Sequence, residues 1–383
     1  MSKKLCYILP QYTPKSSEHY FHIYELIDDL SRSIDIFLVI EDAVEPINFK
    51  AMKSVYVLRF ASFALGLLER LAIFTIIRLK GYKTFYVHQS YFSAIAASLV
   101  TRLFGGHTLY WHCGLKKDYM HKWALSWKAI KAKLFDDYAF LLAIRLVQFL
   151  VTGSETMRNY YVANFGLPQH KIKIMPNWVN LERFKIDKFN GKQLRRELEL
   201  PMTSKVVLFV HWLSPRKGAQ YLVKIAKEVS RTIPDVFFII VGEGPYMETL
   251  RQEIAENGLE DSMRLVGSVP NQEIPKYYAA ADLLIMPSEE EGFPRVILEA
   301  MAMDVPFVAT DVGGTKDLMT ENQMICIVRR GDMSSFAKKV INILKDNELR
   351  EVLKREGRER IKHFSKEKVI EIFISNLACK KPN

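Results

Sequence analysis

The chain reads as an α/β protein built from two doubly wound parallel sheets, and three observations predict it. Short apolar runs alternate with amphipathic stretches along the 383 residues. The runs are mostly apolar, as in strands covered on both faces, and do not alternate as half-exposed strands do. The scheme occurs twice, and the length suits two domains with separate cores.

In the first half the strand candidates are Leu5–Leu9, Ile36–Ile40, Ser54–Leu58, Thr84–Val87, His107–Trp111 and Phe149–Thr152, separated by helical stretches such as Tyr20–Leu30. In the second they are Lys205–Val210, Val236–Val241, Met263–Val266, Leu283–Met286, Phe307–Ala309 and Met324–Ile327. The charged segment Asp187–Leu200, with Asn190-Gly191 inside it, is the natural boundary. The expected domains are residues 1–187 and 188–362, with a C-terminal helix in 363–383 returning to the first. Ligands of such sheets bind beyond the carboxyl ends of the strands, so a cleft between the halves is the expected site.

Composition narrows the class. With 49% apolar and 25% charged residues the chain is neither disordered nor collagen-like. Cys6, Cys113, Cys326 and Cys379 form no CxxC pair and have no histidine at metal spacing, so neither a zinc knuckle nor a disulfide framework is expected, and a reducing cytosol fits. The apolar run before Pro10 is too short for a signal-peptide core or a membrane span. Phe60 to Leu79 is longer, but Glu69, Arg70 and Arg78 interrupt it, which favours a buried or interfacial helix.

The net charge of +11 is unevenly placed, because residues 51–150 carry 14 basic and 4 acidic side chains. A solvated basic face would explain this; so would an anionic membrane surface facing residues 51–150. Within the block Trp123, Trp127, Ile130 and Leu134 recur at helical spacing between Lys122, Lys128, Lys131 and Lys133, a pattern suited either to a headgroup layer or to an ordinary core-facing helix. No nucleic-acid partner is expected, since neither a helix-turn-helix nor an RNA-binding signature is present.

The stretch Pro287-Ser-Glu-Glu-Glu-Gly-Phe-Pro-Arg-Val-Ile-Leu-Glu follows a strand and opens a helix. If most of the interval is helical, Glu291 and Glu299 stand roughly 10 Å apart, about the length of a sugar diphosphate. A carboxylate before a helix can accept sugar hydroxyls, one on the helix can bind a ribose diol, and the helix start between them offers N–H groups to an anion. The helix dipole alone would explain Glu289 and Glu290. It does not explain Glu299 among Ile297, Leu298, Ala300 and Met301.

These residues carry a resemblance. The chain is similar to the retaining, nucleotide-sugar-dependent glycosyltransferases of family 4, whose GT-B fold sets two Rossmann-like domains face to face across a cleft, and Glu291 to Glu299 looks like their E-x7-E motif. Val151-Thr-Gly-Ser-Glu155 with Met175-Pro-Asn-Trp-Val-Asn180 resembles "SE … PNGVD", with Trp178 and Asn180 replacing Gly and Asp. Val241-Gly-Glu-Gly-Pro245 and Val312-Gly-Gly-Thr-Lys-Asp317 resemble two further donor-domain loops. Phe209-Val-His-Trp-Leu-Ser-Pro-Arg-Lys-Gly218 resembles "GRL…KG", in which an Arg and a Lys clamp the pyrophosphate. Lys217 matches the Lys, but His211 and Trp212 stand where the family has Gly and Arg, which leaves Arg216 to substitute or the clamp weakened.

The resemblance implies transfer of a sugar from a nucleoside-diphosphate sugar to a glycan or lipid-linked glycan, with 1–187 binding acceptor and 188–362 the nucleotide sugar. Lys217, with Arg216, would stabilise the leaving diphosphate. Glu291 and the backbone of Gly292, Phe293 and Pro294 would orient the sugar, and Glu299 would hold the ribose. Gly244, Gly267, Val269, Gly313 and Gly314 would line the donor site. His112, in Tyr110-Trp-His-Cys-Gly114, matches the family's "HG" histidine near the sugar, and His88, in Tyr86-Val-His-Gln-Ser, would lie on the acceptor side, although a satisfied core histidine would look the same in either place. The loop after the first strand, Pro10 to His19, has no glycine, so Ser16 and Ser17 would face the acceptor there. No DxD triad occurs, so neither metal nor cofactor is expected, and cationic side chains and helix dipoles take the ion's place. Bacterial surface polysaccharide synthesis at the cytoplasmic side of the membrane is the expected setting. A nucleotide-sugar epimerase of this fold and a binding protein weakened by Trp212 are the alternatives; a dinucleotide oxidoreductase would need a glycine-rich turn after the first strand.

Overall fold

The computed structural model describes residues 4–13, 21–44, 47, 54–60, 63–114 and 127–377. They fall into two compact units, one running to Met175 and resuming at Ile370, the other Pro176–Val369.

The first unit contains β1 (Lys4–Leu9), α1 (Phe21–Leu30), β2 (Asp35–Ile40), β3 (Ser54–Val57), α2 (Phe63–Leu79), β4 (Thr84–His88), α3 (Tyr91–Phe104), β5 (His107–Trp111), α4 (Trp127–Leu146), β6 (Phe149–Thr152), α5 (Glu155–Phe165) and β7 (Ile172–Ile174). The sheet is parallel, in the order β3-β2-β1-β4-β5-β6-β7. Past their first residues β1, β2 and β4 are buried without a break, which explains their largely apolar sequence, as in strands covered on both faces. Ser90 and Ser154 accept the Ser93 and Met157 amides and so start α3 and α5 directly behind strands. The three-residue β7 is an addition to the sequence reading; so short a run carries no periodicity.

The second unit contains α6 (Gly191–Glu197), β8 (Lys205–Val210), α7 (Leu222–Thr232), β9 (Val236–Val241), α8 (Met247–Glu256), β10 (Met263–Gly267), α9 (Ile274–Ala280), β11 (Leu283–Met286), α10 (Arg295–Ala302), β12 (Phe307–Thr310), β13 (Ile327–Val328), α11 (Met333–Lys345) and α12 (Asn347–Ile361), and α13 (Lys366–Leu377) begins in it. Its parallel sheet runs β10-β9-β8-β11-β12-β13. The expected strand Met324–Ile327 is instead a 3₁₀ turn over Asn322–Cys326 that leads into β13. Thr320 and Gln323 cause it, each side chain accepting the other's backbone amide.

The chain enters the second unit at residue 176, ahead of the boundary expected at 187. Asn177 donates to the Phe293 carbonyl at 2.7 Å, Val179 pairs with Ser365, and the Phe184 ring lies 6.1 Å from that of Tyr278. These contacts outweigh the charged composition downstream. At the other end the return to the first unit falls at 370, after the expected 362, because Lys366 bonds Val179 and Val369 is fully buried. Farther along α13, Phe373 packs 4.8 Å from Tyr86 and 6.3 Å from Tyr7, and Asn376 donates to the Ile174 carbonyl. The Trp and Lys pattern at 122–134 lies partly outside the described residues; its portion from Trp127 onward belongs to α4. Among the described residues no helix is long and apolar enough to cross a membrane.

Candidate functional site

Each sheet has a point where strand order reverses, between β1 and β4 and between β8 and β11. Loops leaving the carboxyl ends of such a strand pair diverge and leave room for a ligand. In the second unit those loops are His211–Lys217 and Pro287–Pro294, which hold Arg216, Lys217, Glu291, Gly292, Phe293 and Pro294 of the expected donor residues.

After β8 the backbone runs into a 3₁₀ turn, Pro215–Lys217, that ends at Gly218 with φ +80°. A Cβ on Gly218 would stand 2.1 Å from the Pro287 carbonyl oxygen, so glycine lets the two loops touch. The turn directs Lys217 inward, where it is 6% exposed and donates from Nζ to Glu291 Oε2 at 2.7 Å. Glu291 is equally buried. Its other oxygen, Oε1, accepts from His211 Nε2 at 2.9 Å and from Ser288 Oγ at 2.9 Å. The Trp212 amide donates to His211 Nδ1 at 3.0 Å, which assigns the imidazole proton to Nε2 and makes the ring a neutral donor.

The electrostatics follow from this packing. Burial by itself would raise the Glu291 carboxyl, but the Lys217 ammonium and the His211 ring together outweigh it and hold the group well below the usual carboxylate range. Burial lowers the His211 imidazole, the Lys217 charge adds to that, and Glu291 opposes it only in part. The result is an ionised carboxylate between one cation and one neutral donor.

Glu299 lies on α10. It accepts from the Tyr278 hydroxyl at 3.1 Å and lies 3.5 Å from Arg295. Burial, followed by the Glu299 charge, raises the Tyr278 phenol and keeps it a donor. Pro294 leads into α10, and Phe293 buries its ring 5.7 Å from Phe364. The Gly314 amide donates to the Gly292 carbonyl at 2.9 Å, which ties the loop after β12 to the Glu291 loop. The Gly244 backbone approaches Leu213, and the Gly267 carbonyl accepts from Gly242 at 2.8 Å with Val269 half-buried beyond it.

Lys217 is engaged by Glu291, so the proposed phosphate cation and sugar carboxylate are one ion pair in this structure. Arg216, the expected substitute cation, is half exposed and 4.0 Å from Glu290, while its carbonyl receives the Glu289 and Glu290 amides. Trp212 is half exposed.

In the first unit His112 follows β5 and holds Nδ1 2.5 Å from the Tyr161 hydroxyl, its ring 4.8 Å from Phe140. His88 closes β4, is buried, and stacks flat on Trp111 at 4.3 Å. Ser16 and Ser17 lie outside the described residues. Among the described residues no three His, Cys, Asp or Glu side chains gather as a metal site. Sequence reasoning passed over His211, Ser288 and Tyr278 as site residues. The available signal was position: His211 and Ser288 lie just beyond the ends of the two strands flanking the reversal.

Residues 190–360 match a family model described as "Glycosyl transferases group 1", and residues 21–183 match one described as "Glycosyltransferase Family 4". The GDP-mannose-dependent alpha-(1-6)-phosphatidylinositol monomannoside mannosyltransferase of Mycobacterium tuberculosis is 30% identical over 213 residues, which are 54% of this chain and 55% of that protein. A putative teichuronic acid biosynthesis glycosyltransferase of Bacillus subtilis is 32% identical over 40% of this chain and 37% of its own. The chain thus spans about half the length of the curated relatives it matches, or less. Among solved structures, a glycosyltransferase from Rickettsia africae superposes with a TM-score of 0.79 at 16% identity, covering 98% of both chains. HepE of Anabaena in complex with UDP and glucose gives 0.77 at 18%, covering 98% of this chain and 99% of that one. These likenesses show the fold to be GT-B. With one glycosyltransferase model matching each successive half, the chain belongs to the family 4 glycosyltransferases.

Proposed function

We propose that this protein moves a sugar from a nucleoside-diphosphate sugar to a glycan or lipid-linked glycan acceptor, with retention at the anomeric carbon and without a metal ion. The observation that carries the reading is Glu291, buried and ionised between Lys217 and His211 at the strand-order reversal, eight residues before Glu299. Each carboxylate oxygen offers about two lone-pair positions. Oε1 uses both on His211 and Ser288, whereas Oε2 receives Lys217 and keeps one for a sugar hydroxyl. Lys217 has further N–H donors to turn toward a diphosphate, where they oppose the charge that develops as the leaving group departs. The bond from the anomeric carbon to phosphate oxygen breaks as the acceptor oxygen bonds on the same face, and the acceptor proton passes to the departing phosphate. No protein base is then required. Glu299, oriented by Tyr278, takes the ribose.

Relatives named for mannosyl and glucosyl transfer support a hexose donor, and the one named for teichuronic acid biosynthesis supports a place in bacterial surface polysaccharide synthesis. The test is a thermal-shift screen of UDP-, GDP- and ADP-sugars in EDTA, followed by NMR of the product anomer with the donor that binds. The expected result is stabilisation by one donor class and an axial-to-axial or equatorial-to-equatorial transfer. Inversion, or a strict requirement for a divalent ion, overturns the mechanism. A half-exposed Trp212 in the family's Arg position favours one second reading, a binder without turnover, and stabilisation with no product would identify it.

A further inference from the structure

Helix α2 is apolar on nearly every side, with Glu69, Arg70 and Arg78 its only charged residues. Its charges are turned to the protein. Glu69 accepts from the Tyr56 hydroxyl and from the Arg59 and Phe60 amides, Arg70 bonds Ser93 and Glu41, and Arg78 caps the carbonyls of Phe104 and Gly105 at the end of α3. What faces outward is a stripe at helical spacing, Leu65, Leu68, Ala72, Ile76 and Leu79, of which Leu68 is 64% and Leu79 71% exposed. Leu103, 78% exposed, and Phe104 add apolar surface at the end of α3 that Arg78 joins to α2. A water-facing helix puts its charges outside and its leucines inside, whereas α2 buries Phe74 and Ile77, turns its charges inward and still carries leucines on its outer face.

The charge around the stripe indicates what covers it. Exposed Arg59 precedes the helix, and exposed Lys80, Lys83 and Arg102 lie toward its far end. A second copy would bring two such sets of cations together and be repelled. An anionic headgroup layer over hydrocarbon matches both features, since leucines insert while the flanking cations stay at headgroup level.

We infer that the outer face of α2, with the end of α3, docks on an anionic lipid surface. The inference rests on the reading above only in placing an acceptor at that surface. Its test is flotation of the full chain with phosphatidylcholine vesicles, with and without phosphatidylglycerol, comparing wild type with a Leu68→Glu/Ile76→Glu variant. Both positions are exposed, so the variant should fold; an unchanged circular-dichroism melt of the full chain would report an intact first unit, and nucleotide-sugar thermal shifts an intact second. The expected result is flotation only with phosphatidylglycerol, weakened by salt and by at least about tenfold in the variant. Equal flotation of the two proteins, no flotation of the wild type, or a concentration-dependent dimer that the variant dissolves would overturn it. The last outcome would assign the stripe to a second copy. Loss of donor binding in both proteins would count against the proposed function instead.

Discussion

Lys217 and Glu291, 74 residues apart in sequence, meet as a buried ion pair 2.7 Å long. Two charges in so little water are costly unless each is fully partnered, and Glu291 gains its further partners from His211 and Ser288. The pair therefore keeps two functional groups ionised and aimed before any ligand arrives, and a diphosphate entering near Lys217 can share a cation already stripped of water.

Replacing Glu291 by Gln keeps the shape and strands the ammonium. The expected loss is ~3 kcal/mol of stability for Glu291→Gln, and a similar loss for Lys217→Met, which strands the carboxylate. The double variant should recover most of that stability, because neither buried charge remains, while turnover stays absent. Urea unfolding of the four proteins checks the cycle; additive losses in the double variant would mean that the two groups do not act as a pair.

Acidification should act on this site through His211 first. Its folded-state affinity for protons lies below the ordinary value of 6.5, so the unfolded chain binds the proton more readily and stability falls as pH drops below about 6.5. Glu291 adds a second loss at lower pH, below its ordinary 4.5, as its depressed carboxyl is protonated. Gln at position 211 can still donate to Glu291 but does not titrate. Melting temperatures of His211→Gln should therefore lose the upper limb between pH 7 and 5 and keep the lower one.

How much of this was legible in the chain follows from what each feature depends on. Buried parallel strands announce themselves as continuous apolar runs, so β5, β6, β8, β9 and β11 lie within the residues expected of them. β13 and β7 are too short to carry a pattern, and hydrogen bonding by Thr320 and Gln323 reassigned part of the expected run. Glu291, Glu299 and Lys217 stood out because their residue types sit in motifs. The partnership of Lys217 with Glu291 did not, since it depends on strand order bringing the ends of β8 and β11 together. The inverted character of α2 was equally hidden: Glu69 and Arg70 argued from sequence against a membrane span, and only their inward bonds show the outer face to be bare of charge.

The Tyr278 hydroxyl serves both the Val296 carbonyl and Glu299 at 3.1 Å. Tyr278→Phe removes one buried donor without leaving a large cavity, and a loss of ~1 to 2 kcal/mol in stability is expected. Glu299, no longer oriented, should hold the ribose less well. Calorimetric titration should show weaker donor binding in this variant and a larger loss in Glu299→Ala; unchanged affinity in both would remove Glu299 from the donor site.

Gly313 has φ +52°, and a Cβ there would stand 1.7 Å from the Glu291 carbonyl oxygen. Gly313→Ala therefore combines left-handed strain with a collision against the backbone of the residue that carries the proposed chemistry. Gly258 separates the two effects, having φ +63° and open space where its Cβ would be. Gly258→Ala should cost about 1 to 2 kcal/mol, the strain alone, and leave turnover unchanged. Gly313→Ala should cost about 3 kcal/mol or more and also lower turnover, because Glu291 must move to clear the methyl group. Unfolding and product formation measured on the two variants decide the matter: equal costs and equal turnover would mean that the loop after β12 does not hold Glu291 in place.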